Sequence, residues 1–194
     1  MSYDFFDKLE VSKGRRSPSD MGTIKAILLG CVSVEAASIE LDKLGVDYIA
    51  ILRGGARVLI DVKTRDAGCS KFWKDGPEFA IEMWSVMPGG KFSTPDERKK
   101  AGWTLDEAKL TDMILYTWDV TDCAFVYLLS FQTLRMAAQR NISAWMKTYK
   151  TDIQESNRNS VQWQSKAVFV PADVVQDAMR EVQRFVLPID TPSL

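Results

Sequence analysis

The sequence predicts an α/β (α+β) domain built on a mixed central sheet with helices on its flanks. The order of hydrophobic patterns carries that expectation: a helical stretch, several strand-like runs, then helix, strand and helix. Size agrees, since 194 residues with 46% apolar content are enough to bury one real core.

Residues 1–19, ending in KGRRSPS, read as a flexible N-terminal arm, either a solvated tail or a basic arm for phosphate contact. Residues 20–194 read as a single domain. A helix is expected from Ser19 or Asp20 to Leu44, with Asp20 as its N-cap and Gly45 just past its end. Val34, Ala37, Leu41 and Leu44 recur along it at helical spacing, and Gly30 is its weak spot. Two strands follow, at 46–53 and 57–64, around a Gly-Gly turn. EFAIEMWSV, from Glu78 to Val86, alternates as a third strand, and MPGGKFSTPDERKKAGWT, rich in Gly, Pro and charge, reads as a loop over the surface. TDMILYTW and CAFVYLLSF form a second hairpin. QTLRMAAQRNISAWMKTYK is helical, with basic residues at the end its dipole favours. KAVFVP makes a short strand, and PADVVQDAMREVQRF a last helix with Pro171 near its start.

The chain contains no histidine. Ser/His/Asp and Cys/His nucleophilic sites are thereby excluded in their usual forms, as are imidazole bases and imidazole metal ligands. Cys31, Cys69 and Cys123 are odd in number and widely spaced, which suggests neither a disulfide framework nor a zinc site and fits a reducing cytoplasm. No run of 18 uncharged apolar residues is present, so no membrane association is expected. A net charge of −1 offers no global attraction for nucleic acid, which leaves any such binding to a local basic surface.

The first hairpin, GVDYIAILRGGARVLIDVKTR, carries charge where strands of this kind are usually apolar. Asp61 and Lys63 share one strand face, while Ile60 and Val62 share the other. With a three-residue Gly54-Gly55-Ala56 loop, Asp47 falls opposite Lys63 and joins that face; with a two-residue Gly54-Gly55 turn it moves to the opposite one. Two carboxylates on neighbouring strands repel unless a cation sits between them. A hard divalent ion such as Mg²⁺ suits the pair, because it takes one or two carboxylates and keeps waters that a substrate phosphate can replace. Lys63 is then left to orient or deprotonate a water, or to offset charge on phosphorus. That is a constellation for phosphodiester hydrolysis. The bland alternative is a half-exposed hairpin whose polar residues face solvent.

Asp47 followed by Asp61-Val62-Lys63, with thirteen residues between the aspartates, resembles the signature of the PD-(D/E)XK nuclease superfamily, in its restriction-endonuclease-like and Holliday-junction-resolvase-like branches. The ending VKTR, and Gly30, Glu35, Ala36 or Ala37, Leu41 and Gly45 ahead of the hairpin, are similar to further family patterns. The resemblance covers residues 30–65, about a fifth of the chain. Val46 stands where the family has its naming proline, and Asp61 where glutamate is commoner. The resemblance implies an αβββαβ core, Mg²⁺ or Mn²⁺ dependence, and hydrolysis of DNA backbones. It assigns Asp47, Asp61 and Glu35 as metal ligands, with the Val62 carbonyl as a further one and Lys63 on the attacking water. Glu40 borders the apolar stripe of the expected helix and is the second choice for the helical acid. Glu82, on the third strand, either supports the site or faces water.

Lys71, Lys74, Arg98, Lys99 and Lys100 lie in loops beside Trp73 and Trp103, a mix suited to phosphate contact and base stacking, or simply to solubility. Trp84, Trp118, Trp145 and Trp163 read as packing residues, and Gln164 or Lys166 could approach the cleft. The expected activity is that of a metal-dependent nuclease acting on DNA, with a two-fold homodimer as one route to cutting both strands. The alternative is a nucleic-acid- or protein-binding module on a nuclease-like fold that has lost catalysis.

Overall fold

A computed structural model describes residues 18–65, 76–87, 100–120, 123–158 and 161–186. Its elements are α1 (Pro18–Ile27), β1 (Cys31–Ala36), α2 (Ile39–Lys43), β2 (Tyr48–Leu52), β3 (Arg57–Arg65), β4 (Glu78–Val86), β5 (Lys100–Ala101), β6 (Met113–Val120), β7 (Cys123–Ser130), α3 (Phe131–Thr148), β8 (Thr151–Arg158), β9 (Val161–Pro171) and α4 (Ala172–Val186). The fold is mixed α and β, and the chain divides into two compact units. One holds α1, β1, α2, β2, β3, β6 and β7; the other holds the remaining elements.

The first unit is a five-stranded mixed sheet in the order β1-β2-β3-β6-β7. β1, β2 and β3 form an antiparallel meander, β3 runs parallel to β6, and β6 returns through β7 in a hairpin. Ile60 packs with Tyr48, Ala50, Leu115 and Ile24 of α1 in a fully buried cluster, to which Val34, Val58 and Val62 add. α1 therefore covers the sheet face opposite Asp61. The strands' β-branched residues explain the strand choice, and the alternation of faces explains which side is apolar.

The long helix expected from residue 19 to 44 does not form. α1 stops at Ile27, Gly30 takes a left-handed φ of 77° that a turn requires, and CVSVEA continues as a strand. Val32 and Val34, both β-branched, favour that outcome over a helix. Ser38 then caps a single helical turn, its hydroxyl accepting from Leu41 N–H at 3.4 Å. The apparent helical stripe is split between β1, which holds Val34, and α2, which holds Leu41; Ala37 lies between the two elements and the exposed Leu44 just past α2.

The second unit is a four-stranded antiparallel sheet in the order β5-β4-β9-β8. α4 packs on β9 and β4 through a buried stripe of Val175, Ala178, Met179 and Val182, and α3 packs against α4. Gly102 is demanded by space: a Cβ there would lie 2.0 Å from the backbone oxygen of Glu82 on β4. Trp118 and Trp145 are buried, as expected of packing residues, and Trp84 and Trp163 are half-buried. β8, whose sequence is almost entirely polar, had no counterpart in the sequence reading.

Candidate functional site

The hairpin that joins β2 to β3 sets the register of the site. Leu52 N–H donates to Ala56 O at 2.8 Å and Gly55 N–H to Leu52 O at 2.9 Å, so the loop is Arg53-Gly54-Gly55. Both glycines have positive φ, 94° and 85°, which side-chain-bearing residues adopt only with strain. Tyr48 pairs with Ile60 and Ile49 with Leu59. Continuing that register by one residue sets Asp47 against Asp61 rather than against Lys63. The loop is three residues long, as clustering on one face requires, but displaced by one position from the expected Gly54-Gly55-Ala56.

Asp47 is fixed by its backbone and side chain alike. Its N–H donates to Ile60 O at 2.8 Å, its carbonyl accepts from Ala37 N–H at 2.9 Å, and its Oδ2 accepts from Val62 N–H at 2.8 Å. The turn before it is held from the segment leading into β6: the Thr111 hydroxyl donates to Gly45 O at 2.6 Å, and Asp112 bridges Leu59 through both its N–H and its Oδ2. These contacts tie the acid to β3 with little freedom.

Asp61 is 3% exposed, the one charged side chain among the described residues to be so buried. Lys63 Nζ donates to both of its oxygens, at 2.6 and 2.7 Å, and is itself 29% exposed. Burial pushes the Asp61 carboxyl up to about 6, Lys63 draws it back down, and the nearby Asp47 carboxyl raises it again by charge and by a hydrogen bond to the protonated form. The ammonium beside it does not outweigh desolvation and the second acid. Such a carboxyl is short of positive charge.

The two aspartates and the lysine expected from the sequence are thus brought together. Glu35 is not brought to them. It sits on the edge strand β1 and not on a helix, opposite Ile49 and exposed. It shares the sheet face of both acids, roughly 8 Å from Asp47 and roughly 12 Å from Asp61 between Cα atoms by strand spacing, and no acidic group of three forms with them among the described residues. Glu40 lies on α2, exposed, with its carboxyl held below the usual range by a backbone hydrogen bond and the Ser38 hydroxyl. Among the described residues no group of three or more Cys, Asp or Glu side chains gathers at metal-binding distance. Glu82 belongs to the second unit, where its Oε2 accepts from Ser85 Oγ at 2.7 Å and Trp103 N–H at 3.0 Å; it anchors its own strand and the turn beside it.

The loop cations Lys71, Lys74, Arg98 and Lys99, and Trp73, lie outside the described residues. Lys100 is exposed on β5. Trp103 stacks on Phe131 at 6.4 Å, which gives that ring a packing role within the second unit. Gln164 Nε2 donates to Glu155 Oε1 at 3.3 Å across β8 and β9.

Two carboxylates and a backbone carbonyl are oxygen donors of the kind a hard divalent cation takes. Two oxygen acids lie side by side, one of them buried and raised to about 6, a shift that stronger positive charge would draw back down, and the Val62 carbonyl lies between Asp61 and Lys63 in the chain. No helix among the described residues is long and apolar enough to cross a membrane. No protein-family model, no curated protein and no solved structure matches the chain.

Proposed function

We propose that the chain is a metal-dependent nuclease that hydrolyses phosphodiester bonds, with DNA as substrate and Asp47, Asp61 and Lys63 as its working residues. The observation that carries this reading is a buried carboxyl, Asp61, pressed against a second acid and capped by a lysine two residues along the same strand. A structural ion pair needs one acid, and a second acid beside it destabilises the site; a site shaped for a cation and a phosphate explains both. The order of α1, β1, β2, β3 and a parallel β6 is also consistent with the helix-and-three-strand start of a restriction-endonuclease-like core, with the short α2 inserted between β1 and β2 and the segment between β3 and β6 occupied in part by β4 and β5.

In this reading Asp47 and Asp61 would hold the cation, Mg²⁺ or Mn²⁺, with the Val62 carbonyl as a further oxygen donor. The ion supplies charge neutralisation at the phosphate and an acidified water. Asp47 stays oriented through the Val62 N–H. Lys63, whose ammonium spans both Asp61 oxygens, would orient the attacking water and stabilise charge building on the phosphate oxygens. Asp61 and Lys63 on β3, and Asp47 fixed just before β2 by the Val62 N–H, limit the reorganisation that accompanies reaction.

The test is incubation of wild type and Asp61→Asn with supercoiled plasmid, linear duplex, branched DNA and single-stranded RNA, in EDTA, Mg²⁺ or Mn²⁺. Cutting by wild type alone, and only with metal, supports the reading and names the substrate. DNA binding in EDTA with no cutting under any condition would instead establish a binding module without catalysis.

A further inference from the structure

β3 presents a second cation on the face that holds the acids. Side chains alternate along the strand, so Asp61, Lys63 and Arg65 share one side while Val62 and Thr64 share the other. The sorting is fixed by β6: the Thr117 hydroxyl donates to the Thr64 hydroxyl at 3.0 Å on the second side, which leaves Lys63 registered with Tyr116 and Arg65 with Trp118 on the first. Both rings are buried, and Arg65 is half-buried at the end of the strand.

The charge count on this face calls for more than Lys63. With no ion bound, Asp47 and Asp61 outnumber Lys63 by one charge, and Arg65 brings that group to neutrality. Arg65 is the next same-face position, and such positions lie about 6.6 Å apart along a strand. That is close to one step along an extended polynucleotide backbone. The two cations also differ in kind: Lys63 is a point charge suited to a reacting phosphate, whereas Arg65 offers a planar fork that pairs with two oxygens of one phosphate group.

We infer that Arg65 binds the phosphate next to the one that reacts, so that the site selects polynucleotide chains over isolated phosphodiesters. This rests on the nuclease reading above and adds to it a substrate class and a binding residue that does not touch the reacting atoms.

The experiment compares wild type, Arg65→Ala and Arg65→Lys on a duplex oligonucleotide and on bis(4-nitrophenyl) phosphate, which has a single phosphate. Duplex binding is followed in EDTA by fluorescence anisotropy across a salt series. Arg65→Ala is expected to raise KM for the oligonucleotide about tenfold, the effect of one charge-assisted contact, with kcat and the small-substrate rate unchanged. Its salt slope should be shallower than wild type by about one, because one phosphate contact is lost, and Arg65→Lys should restore the slope while recovering KM only in part. Equal loss on both substrates, or an unchanged KM and slope, overturns the inference and leaves the nuclease reading standing. A wild type inert on both substrates removes the nuclease reading instead. The slope then decides Arg65 by itself: a shallower one supports the phosphate contact and an unchanged one refutes it.

Discussion

Replacing Asp61 by Asn should stabilise the metal-free chain at alkaline pH while abolishing the proposed metal-dependent cleavage. The folded carboxyl sits at about 6 against an ordinary value of 3.8, raised by burial and by Asp47. A carboxyl raised in this way is held protonated by the folded state. Its contribution is fully favourable below pH 3.8 and is lost as pH rises through 6. The full cost of ionising it is therefore about 3 kcal/mol at pH 8, from a difference of roughly two pKa units at about 1.4 kcal/mol each. At pH 5 about half of that cost is already present. Asparagine keeps the size of the side chain and never ionises, and Lys63, being 29% exposed, can turn its ammonium to water. Urea unfolding in EDTA, followed by tryptophan fluorescence at pH 5 and pH 8, reads the difference. The stability of Asp61→Asn relative to wild type should rise by about 1.5 kcal/mol between the two pH values, whatever fixed offset the amide introduces. A gap that is the same at both, or that moves the other way, would refute the claim that Asp61 is a buried and strained acid.

Other consequences follow from the same residues. Mg²⁺ at a hundredfold excess over its Kd should stabilise wild type by about 3 kcal/mol at pH 8, read as a higher Tm, and should leave Asp61→Asn unmoved. The same shift should be smaller at pH 5, where protons compete for Asp61, and a pH-independent shift would place the ion elsewhere. Glu35→Ala should leave the Mg²⁺ shift within experimental error, since Glu35 is exposed on an edge strand and forms no three-acid group with the pair; abolition of the shift would return it to the site. Gly102→Ala should cost about 2 kcal/mol or more in urea unfolding, because its Cβ would collide with the backbone of β4.

Much of the site was legible because it depends on short-range geometry. Two strands, a Gly-Gly turn and the period of two are enough to put Asp61 and Lys63 on one face, and a three-residue loop puts Asp47 there too. Only the position of the loop was misread, since Arg53-Gly54-Gly55 and Gly54-Gly55-Ala56 are equally good turn sequences and the backbone bonds of Leu52 decide between them. Glu35 was misplaced for a different reason: Val34, Ala37, Leu41 and Leu44 mimic a helical stripe, and Gly30 gave too weak a warning against it. The strand TDIQESNR left no apolar alternation to read, because it is an edge strand whose hydrogen bonds go to β9 and whose Ile153 is exposed. The division into two units also leaves no mark in composition. β7 runs from Ser130 directly into α3 at Phe131, with no Gly-, Pro- or Ser-rich linker between them. The parallel pairing of β3 with β6 joins residues more than fifty apart, and local pattern says nothing about such a pairing.

The most direct test of the account is single-turnover cleavage of an end-labelled duplex by wild type and Lys63→Ala, each mixed with Mg²⁺ after preincubation with DNA in EDTA. A lysine that acts on the attacking water and on the developing phosphate charge should contribute a factor of roughly 10²–10⁴, so the variant should bind DNA normally and cut it at least a hundredfold more slowly. Cutting at equal rates by the two proteins would contradict the account, for it would leave the lysine on Asp61 as a structural ion pair and the pair of aspartates without a reaction to serve.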